Sequence, residues 1–141
     1  MPVTRSETMP LRAELDIVRA RQAVRKITQE VEFSLVDQTK MVTAASELAR
    51  NTVIHGGGGL LKWEVILDEG REGLRLTFSD SGPGIEDLAL AMKEGWTTGK
   101  GLGMGLSGSR RLVNEFEIDS KPGAGTRVTI VRWKDRNRAR R

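Results

Sequence analysis

Three short stretches of the 141-residue chain combine side chains that are chemically useful at the intervals found. Asp80-Ser81-Gly82-Pro83-Gly84-Ile85 sets one carboxylate at the head of a glycine turn. Gly82 and Gly84 permit positive φ and close backbone approach, and Pro83 holds φ near about −65°, so the turn should be rigid and Asp80 a fixed acceptor. Gly101-Leu102-Gly103-Met104-Gly105-Leu106 places bare backbone N–H groups ahead of an amphipathic segment. At a helix N-terminus such groups form an anion site suited to phosphates. Upstream, Glu47 and Asn51 lie four residues apart, so on a helix they share one face and could share a ligand. An amide oxygen is a reasonable ligand for Mg²⁺, and a nearby carboxylate can serve as a base. With Arg50 beside them they also make an ordinary solvated face, so the pair draws its weight from its order along the chain.

Two familiar nucleotide motifs do not apply. Gly103-Met104-Gly105-Leu106-Ser107-Gly108 spells G-x-G-x-x-G, but a dinucleotide fingerprint needs a strand immediately before it, and Trp96 to Lys100 reads as loop. Gly95 to Gly101 resembles a P-loop with one residue too few between the glycines and Gly101 where Ser or Thr should follow Lys100.

Periodicity gives the helices and strands that hold these stretches. Thr8 to Glu14 is weakly strand-like, and Leu15, Ile17, Val18, Val24, Ile27 and Val31 recur at helical spacing, giving a helix from about Asp16 to Val31. Ser34 with Asp37 three residues on makes a capping-box-like start to a second helix. Its apolar face is Val36, Met41, Ala44, Ala45, Leu48 and Val53, and it should end near Ile54, with His55 closing it before Gly56-Gly57-Gly58-Gly59. A lone histidine without cysteines makes a poor metal site. Leu61, Trp63, Val65 and Leu67 alternate as a strand, joined through Glu69 to Gly73 to an antiparallel partner with Leu74, Leu76 and Phe78 inward and Asp80 at its end. Glu86 to Glu94 reads as a short helix, Gly95 to Met104 as a mobile lid, and Leu106, Leu112, Val113 and Phe116 as one face of a fourth helix. Phe116, Ile118 and Ser120 lead into a turn at Pro122 to Gly125, and a last strand comes after it with Val128, Ile130 and Arg132 alternating against Thr129, Val131 and Trp133. The class is α+β: a two-layer sandwich with helices on one face of a mostly antiparallel mixed sheet.

Length and 38% apolar content suit one domain spanning residues 1–141. The absence of cysteine excludes disulfides and thiolate sites, and no apolar signal segment opens the chain, so a cytoplasmic location is expected. The longest apolar run, Leu88 to Met92, is far short of the roughly 20 residues a bilayer takes, so no membrane partner is expected. The net charge of +4 is concentrated in residues 134–141, which hold five basic residues and one acid and leave 18 of each sign elsewhere. Such a tail could meet an acidic partner or be a solvated terminus; without interleaved aromatics or an upstream motif, nucleic acid is not expected.

In order and spacing, the three stretches resemble the GHKL ATPase/kinase superfamily over about Leu15 to Trp133. Glu47-Leu48-Ala49-Arg50-Asn51 is similar to its N box, Asp80-Ser81-Gly82-Pro83-Gly84 to its G1 box, and Gly101-Leu102-Gly103-Met104-Gly105-Leu106 to its G2 box. Within that superfamily the chain length, the N-box wording and Asp16-Ile17-Val18…Ala20-Arg21-Gln22 resemble the RsbT-type switch kinases of the bacterial stressosome. That resemblance implies a GHKL-type (Bergerat, histidine-kinase-like) fold using ATP and Mg²⁺. It makes Asn51 the metal ligand, Glu47 the catalytic base and Asp80 the acceptor for the adenine amino group, with Gly82 and Gly84 along the base. Gly101, Gly103 and Gly105, with Leu102, Met104 and Leu106 in the same box, would close on the phosphates. Thr126 matches a position near the adenine, and Lys100 is either a phosphate contact or an exposed loop lysine.

The activity implied is transfer of the ATP γ-phosphate to Ser or Thr of STAS-domain proteins, the stressosome scaffold and antagonist, with a downstream phosphatase activated by binding as a further partner. The alternative is an anti-sigma factor of the RsbW type, which sequesters a sigma factor. Those relatives usually read Glu-Ala-x-x-Asn-Ala where this chain has Glu47-Leu48-Ala49-Arg50-Asn51-Thr52, which favours the first. The dimerising helical hairpin that sensor histidine kinases place before their ATP domain is not found in the chain.

Overall fold

A computed structural model describes residues 2–92 and 106–135. In chain order they form β1 (Val3–Leu11), α1 (Glu14–Glu30), α2 (Leu35–Arg50), a π-helical turn (Asn51–His55), β2 (Gly59–Asp68), β3 (Arg71–Asp80), α3 (Leu88–Ala91), α4 (Leu106–Arg111), β4 (Glu115–Ser120) and β5 (Thr126–Trp133). The five strands make one sheet in the order β1-β2-β3-β5-β4. Among the described residues every pair is antiparallel, so the mostly antiparallel sheet expected is wholly so there. Among the same residues no helix is long and apolar enough to cross a membrane.

The two layers meet through the periodicities of their elements. Ile17, Ala20, Val24 and Ile27 of α1 and Met41, Ala44, Ala45 and Leu48 of α2 are buried against Leu61, Trp63, Val65, Leu74, Leu76, Phe78, Val128 and Ile130 of the sheet. Alternation along the strands sends the other side chains to the face without helices, where Arg75 bonds Glu64 at 2.8 Å and Lys62 lies 3.6 Å from the same carboxylate. On that face the Trp133 ring lies over Gly73, where any Cβ would stand 2.6 Å from it, and forms a second small cluster with Ile66 and Val131.

Helix starts are set by local side chains. Asp16 accepts from the N–H groups of Arg12 at 2.8 Å and Ala13 at 3.3 Å, which moves the start of α1 two residues ahead of the expected Asp16 and leaves Leu15 exposed. The Arg12 N–H is the main cause holding the Asp16 carboxyl below its usual range. Ser34 caps α2 as expected, accepting from Asp37 N–H at 3.1 Å. The Asp37 carboxylate does not return to the cap; it pairs with Arg132 of β5 at 2.7 Å, and Val36, expected on the apolar face, is exposed.

Four other expectations are corrected. β1 runs from Val3, earlier than Thr8, because an edge strand with only Leu11 fully buried has little alternation to show. The β2–β3 hairpin is tighter than the Glu69 to Gly73 loop: Asp68 pairs with Arg71 around Glu69-Gly70, both at positive φ. The described part of the Glu86 to Glu94 helix is one turn, capped by Asp87 on the Leu90 N–H at 3.0 Å. α4 stops at Arg111, because Asn114 donates its N–H to Val131 O at 2.9 Å and accepts the Trp133 N–H on Oδ1 at 2.6 Å. That clamp turns the chain onto β5, so Phe116 belongs to a strand.

Candidate functional site

The site is built where β3, β5 and β4 end together. Asp80 pairs with Thr126, and Thr126 pairs with Ser120, so three polar residues form one row across three strands. Two residues below them, Phe78, Val128 and Ile118 form the next row on the same face; Phe78 and Val128 are buried beneath the helices. Opposite this row, α2 brings Leu48 and Asn51. The chain then widens into the π-helical turn, in which Gly56 N–H reaches back to Asn51 O at 3.0 Å. Such turns often mark functional positions, because one extra residue re-aims the backbone after it. The expected α-helix to Ile54 is thus an α-helix to Arg50 with a different winding after it.

That winding carries Gly56 onto Asp80. A Cβ on Gly56 would stand 2.7 Å from the Asp80 Cβ and collide with its carboxylate, and a Cβ on Gly82 would stand 2.6 Å from Gly56 O. Gly84 at φ +76° and Gly125 at φ +81° lock the two turns together, since side chains there would run into Lys121 O and Asp80 O. Gly123 donates its N–H to Pro83 O at 2.7 Å across the same junction. The turn after Asp80 is therefore held by backbone contact on both sides.

A narrow slot remains between the layers, walled by Leu48, Phe78, Ile85, Leu106 and Val128 and reached by Asn51, His55, Gly56, Asp80, Gly84 and Thr126. Burial pushes the Asp80 carboxyl above its usual range, while the N–H groups of Gly82, 2.9 Å from Oδ1, and Thr126 pull it back toward the charged form. The Asn51 side-chain nitrogen is buried in the slot with no hydrogen-bond partner, an arrangement that asks for a ligand. Among the described residues no group of three or more His, Cys, Asp or Glu could hold a metal ion alone. A cation here would rest on the Asn51 amide and on oxygens supplied by a ligand, the coordination habit of Mg²⁺ with phosphates.

Of the residues expected at the site, the fold brings Asn51, Asp80, Gly84, Leu106 and Thr126 to one slot. Glu47 lies one turn before Asn51, whose N–H bonds Glu47 O, and its half-buried side chain is not part of the slot wall. Gly82 backs Asp80 by packing on Gly56, and Leu106 is a buried apolar wall at the start of α4. Lys100, Gly101, Leu102, Gly103, Met104 and Gly105 lie outside the described residues. Sequence reasoning missed Gly56, Gly125 and Ser120. The run of glycines after His55 read as a helix breaker, and Ser120 as one polar residue before a turn; only their tertiary neighbours reveal them.

The fold is similar to that of the RsbU and RsbW domains of a Mycobacterium tuberculosis protein, with a TM-score of 0.63 at 20% identity over 94% of this chain and 33% of that one. The chain thus spans about a third of that structure's chain. In sequence it is 43% identical over 120 residues to the serine/threonine-protein kinase RsbT of Bacillus subtilis (strain 168), covering 85% of this chain and 90% of that one. It is 32% identical over 117 residues to the anti-sigma F factor of Clostridium kluyveri, covering 79% and 81%. The model for the histidine kinase-, DNA gyrase B-, and HSP90-like ATPase matches residues 36–137, which include Asn51, Asp80 and Thr126. With that match and these relatives, the chain belongs to the histidine kinase-, DNA gyrase B-, and HSP90-like ATPase family.

Proposed function

We propose that the chain is an ATP-dependent protein serine/threonine kinase that phosphorylates STAS-domain proteins in a bacterial partner-switching module of the stressosome kind. The observation that carries the reading is the shared slot. Asp80 from the sheet and Asn51 from the helix layer open into one apolar-walled space, an acceptor at one side and an amide nitrogen without a partner at the other. The kinase activity is supported by the likeness to the Bacillus subtilis serine/threonine kinase.

In this reading Asp80 accepts from the adenine amino group, Gly82 and Gly84 keep the backbone close to the ring, and Thr126 borders the same edge. Asn51 would hold Mg²⁺ through its amide oxygen, together with phosphate oxygens. The ion, when bound, neutralises phosphate charge. Gly101, Gly103 and Gly105 offer N–H groups to the phosphates, with Lys100 as their cation. Glu47 accepts the proton of the partner's hydroxyl as its oxygen bonds to the γ-phosphorus and the bond to the β–γ bridging oxygen breaks, leaving ADP. The setting is the cytoplasm, where ATP and the partner meet.

The test is incubation with Mg·ATP and a purified STAS-domain protein from the same cell, with the phosphate then mapped. Phosphoserine or phosphothreonine on the STAS domain supports the assignment. ATP bound without transfer, together with tight capture of a sigma factor, would replace it with the anti-sigma reading that the 32% identical relative suggests.

A further inference from the structure

Ser120 is a buried hydroxyl with three hydrogen-bond partners. Its Oγ accepts the Ile85 N–H at 2.9 Å, donates to Gly125 O at 3.1 Å and lies 2.8 Å from Thr126 Oγ1. A hydroxyl has one proton and two lone pairs. The Ile85 amide can only donate and the Gly125 carbonyl can only accept, so the Ser120 proton is spent on Gly125 and one lone pair on Ile85. With all three bonds made at once, the remaining lone pair takes the proton of Thr126, which leaves the Thr126 oxygen with lone pairs and no donor toward the slot that it lines.

Asp80 stands next to Thr126 in the same row, and its carboxylate is an acceptor too. The end of the slot therefore offers two acceptors side by side. An exocyclic amino group has two N–H bonds and can satisfy both. A ring with a carbonyl beside an N–H, as in hypoxanthine, matches one acceptor and sets oxygen lone pairs against the other. We propose that Ser120 is a positioning residue for base specificity: by taking the Thr126 proton it makes the slot select an amino-bearing purine over a carbonyl-bearing one. The proposal rests on the nucleotide reading of the slot and adds to it a residue that touches no ligand.

Removing the Ser120 hydroxyl frees the Thr126 proton to donate to a carbonyl. The experiment measures ATP and ITP affinities by calorimetry for the parent chain, Ser120→Ala, Thr126→Val and the double variant. The parent is expected to favour ATP by about 100-fold, as for a site with one buried acceptor left unpaired. Ser120→Ala should narrow that ratio by about tenfold, chiefly through better ITP binding. Thr126→Val, which lacks the acceptor, should narrow it as well, and Ser120→Ala in that background should change it no further. If Ser120 only braces the turns, both affinities fall together and the ratio stays, which overturns the proposal. An unchanged ratio in Thr126→Val overturns it even if Ser120→Ala does not fold. A parent chain that binds neither nucleotide overturns the nucleotide reading itself, whereas ATP binding with an unmoved ratio overturns the role of Ser120 alone.

Discussion

Gly56 and Asp80 touch across the two layers so closely that the glycine leaves no room for a side chain beside the carboxylate. Gly56→Ala should therefore push the Asp80 carboxylate out of place while leaving α2, which ends at Arg50, intact. We expect nucleotide affinity to fall by at least about tenfold, the cost of one lost buried hydrogen bond, with helix content unchanged. Calorimetry beside circular dichroism checks it, and parent-like affinity would show that Asp80 does not depend on this contact. Gly108→Ala is the counterpart, since a Cβ there meets nothing within 4 Å and helical glycine costs roughly 0.5–1 kcal/mol. It should raise the melting temperature.

Asp80 links pH to both stability and binding. Burial raises its folded-state pKa above 3.8, so its ionised form costs stability at neutral pH, and that cost is relieved as pH falls through the raised pKa toward 3.8. Binding runs the other way, because protonation turns one carboxylate oxygen into a donor and removes the charge that strengthens a bond from an amino group. Asp80→Asn should make the empty protein more stable at neutral pH, with the gain shrinking as the solution is acidified, and should weaken ATP binding by roughly 10- to 100-fold. Thermal unfolding across pH, with and without nucleotide, measures both. A destabilised Asp80→Asn protein at neutral pH would contradict the burial account.

Asp37 and Arg132 tie the start of α2 to the end of β5 by a mostly buried pair at 2.7 Å, and Arg132 also donates to Leu112 O at 3.0 Å. Asp37→Ala leaves the guanidinium without its charge partner, a loss of about 3 kcal/mol for a buried pair. Denaturant unfolding should show this, while an effect under about 1 kcal/mol would place the pair among surface bridges.

What could be read along the chain was what local chemistry decides. Ser34 caps α2 as its spacing with Asp37 implied, and the alternation of Leu74, Leu76 and Phe78 put Asp80 at a strand end. The misses are places where distant residues decide. Asn114 is claimed by β5, which ends α4 early and makes Phe116 a strand residue. β1 lies at an exposed edge and shows no buried alternation. The winding from Asn51 to His55 changes without any break in the apolar pattern, because its reason is the packing of Gly56 on Asp80 and Gly82. Ser120 is polar in a short strand; only the approach of Ile85 and Thr126 gives it work.

Glu47 is the residue on which the kinase reading turns, since it sits one turn before Asn51 yet outside the slot wall. The most direct measurement is single-turnover transfer of labelled γ-phosphate to the STAS-domain partner by the parent chain and by Glu47→Ala, with nucleotide affinity measured in parallel. Loss of a general base should lower the transfer rate by about 10²–10⁴-fold with nucleotide affinity unchanged. Transfer by Glu47→Ala at the parent rate would contradict the catalytic assignment of this helix.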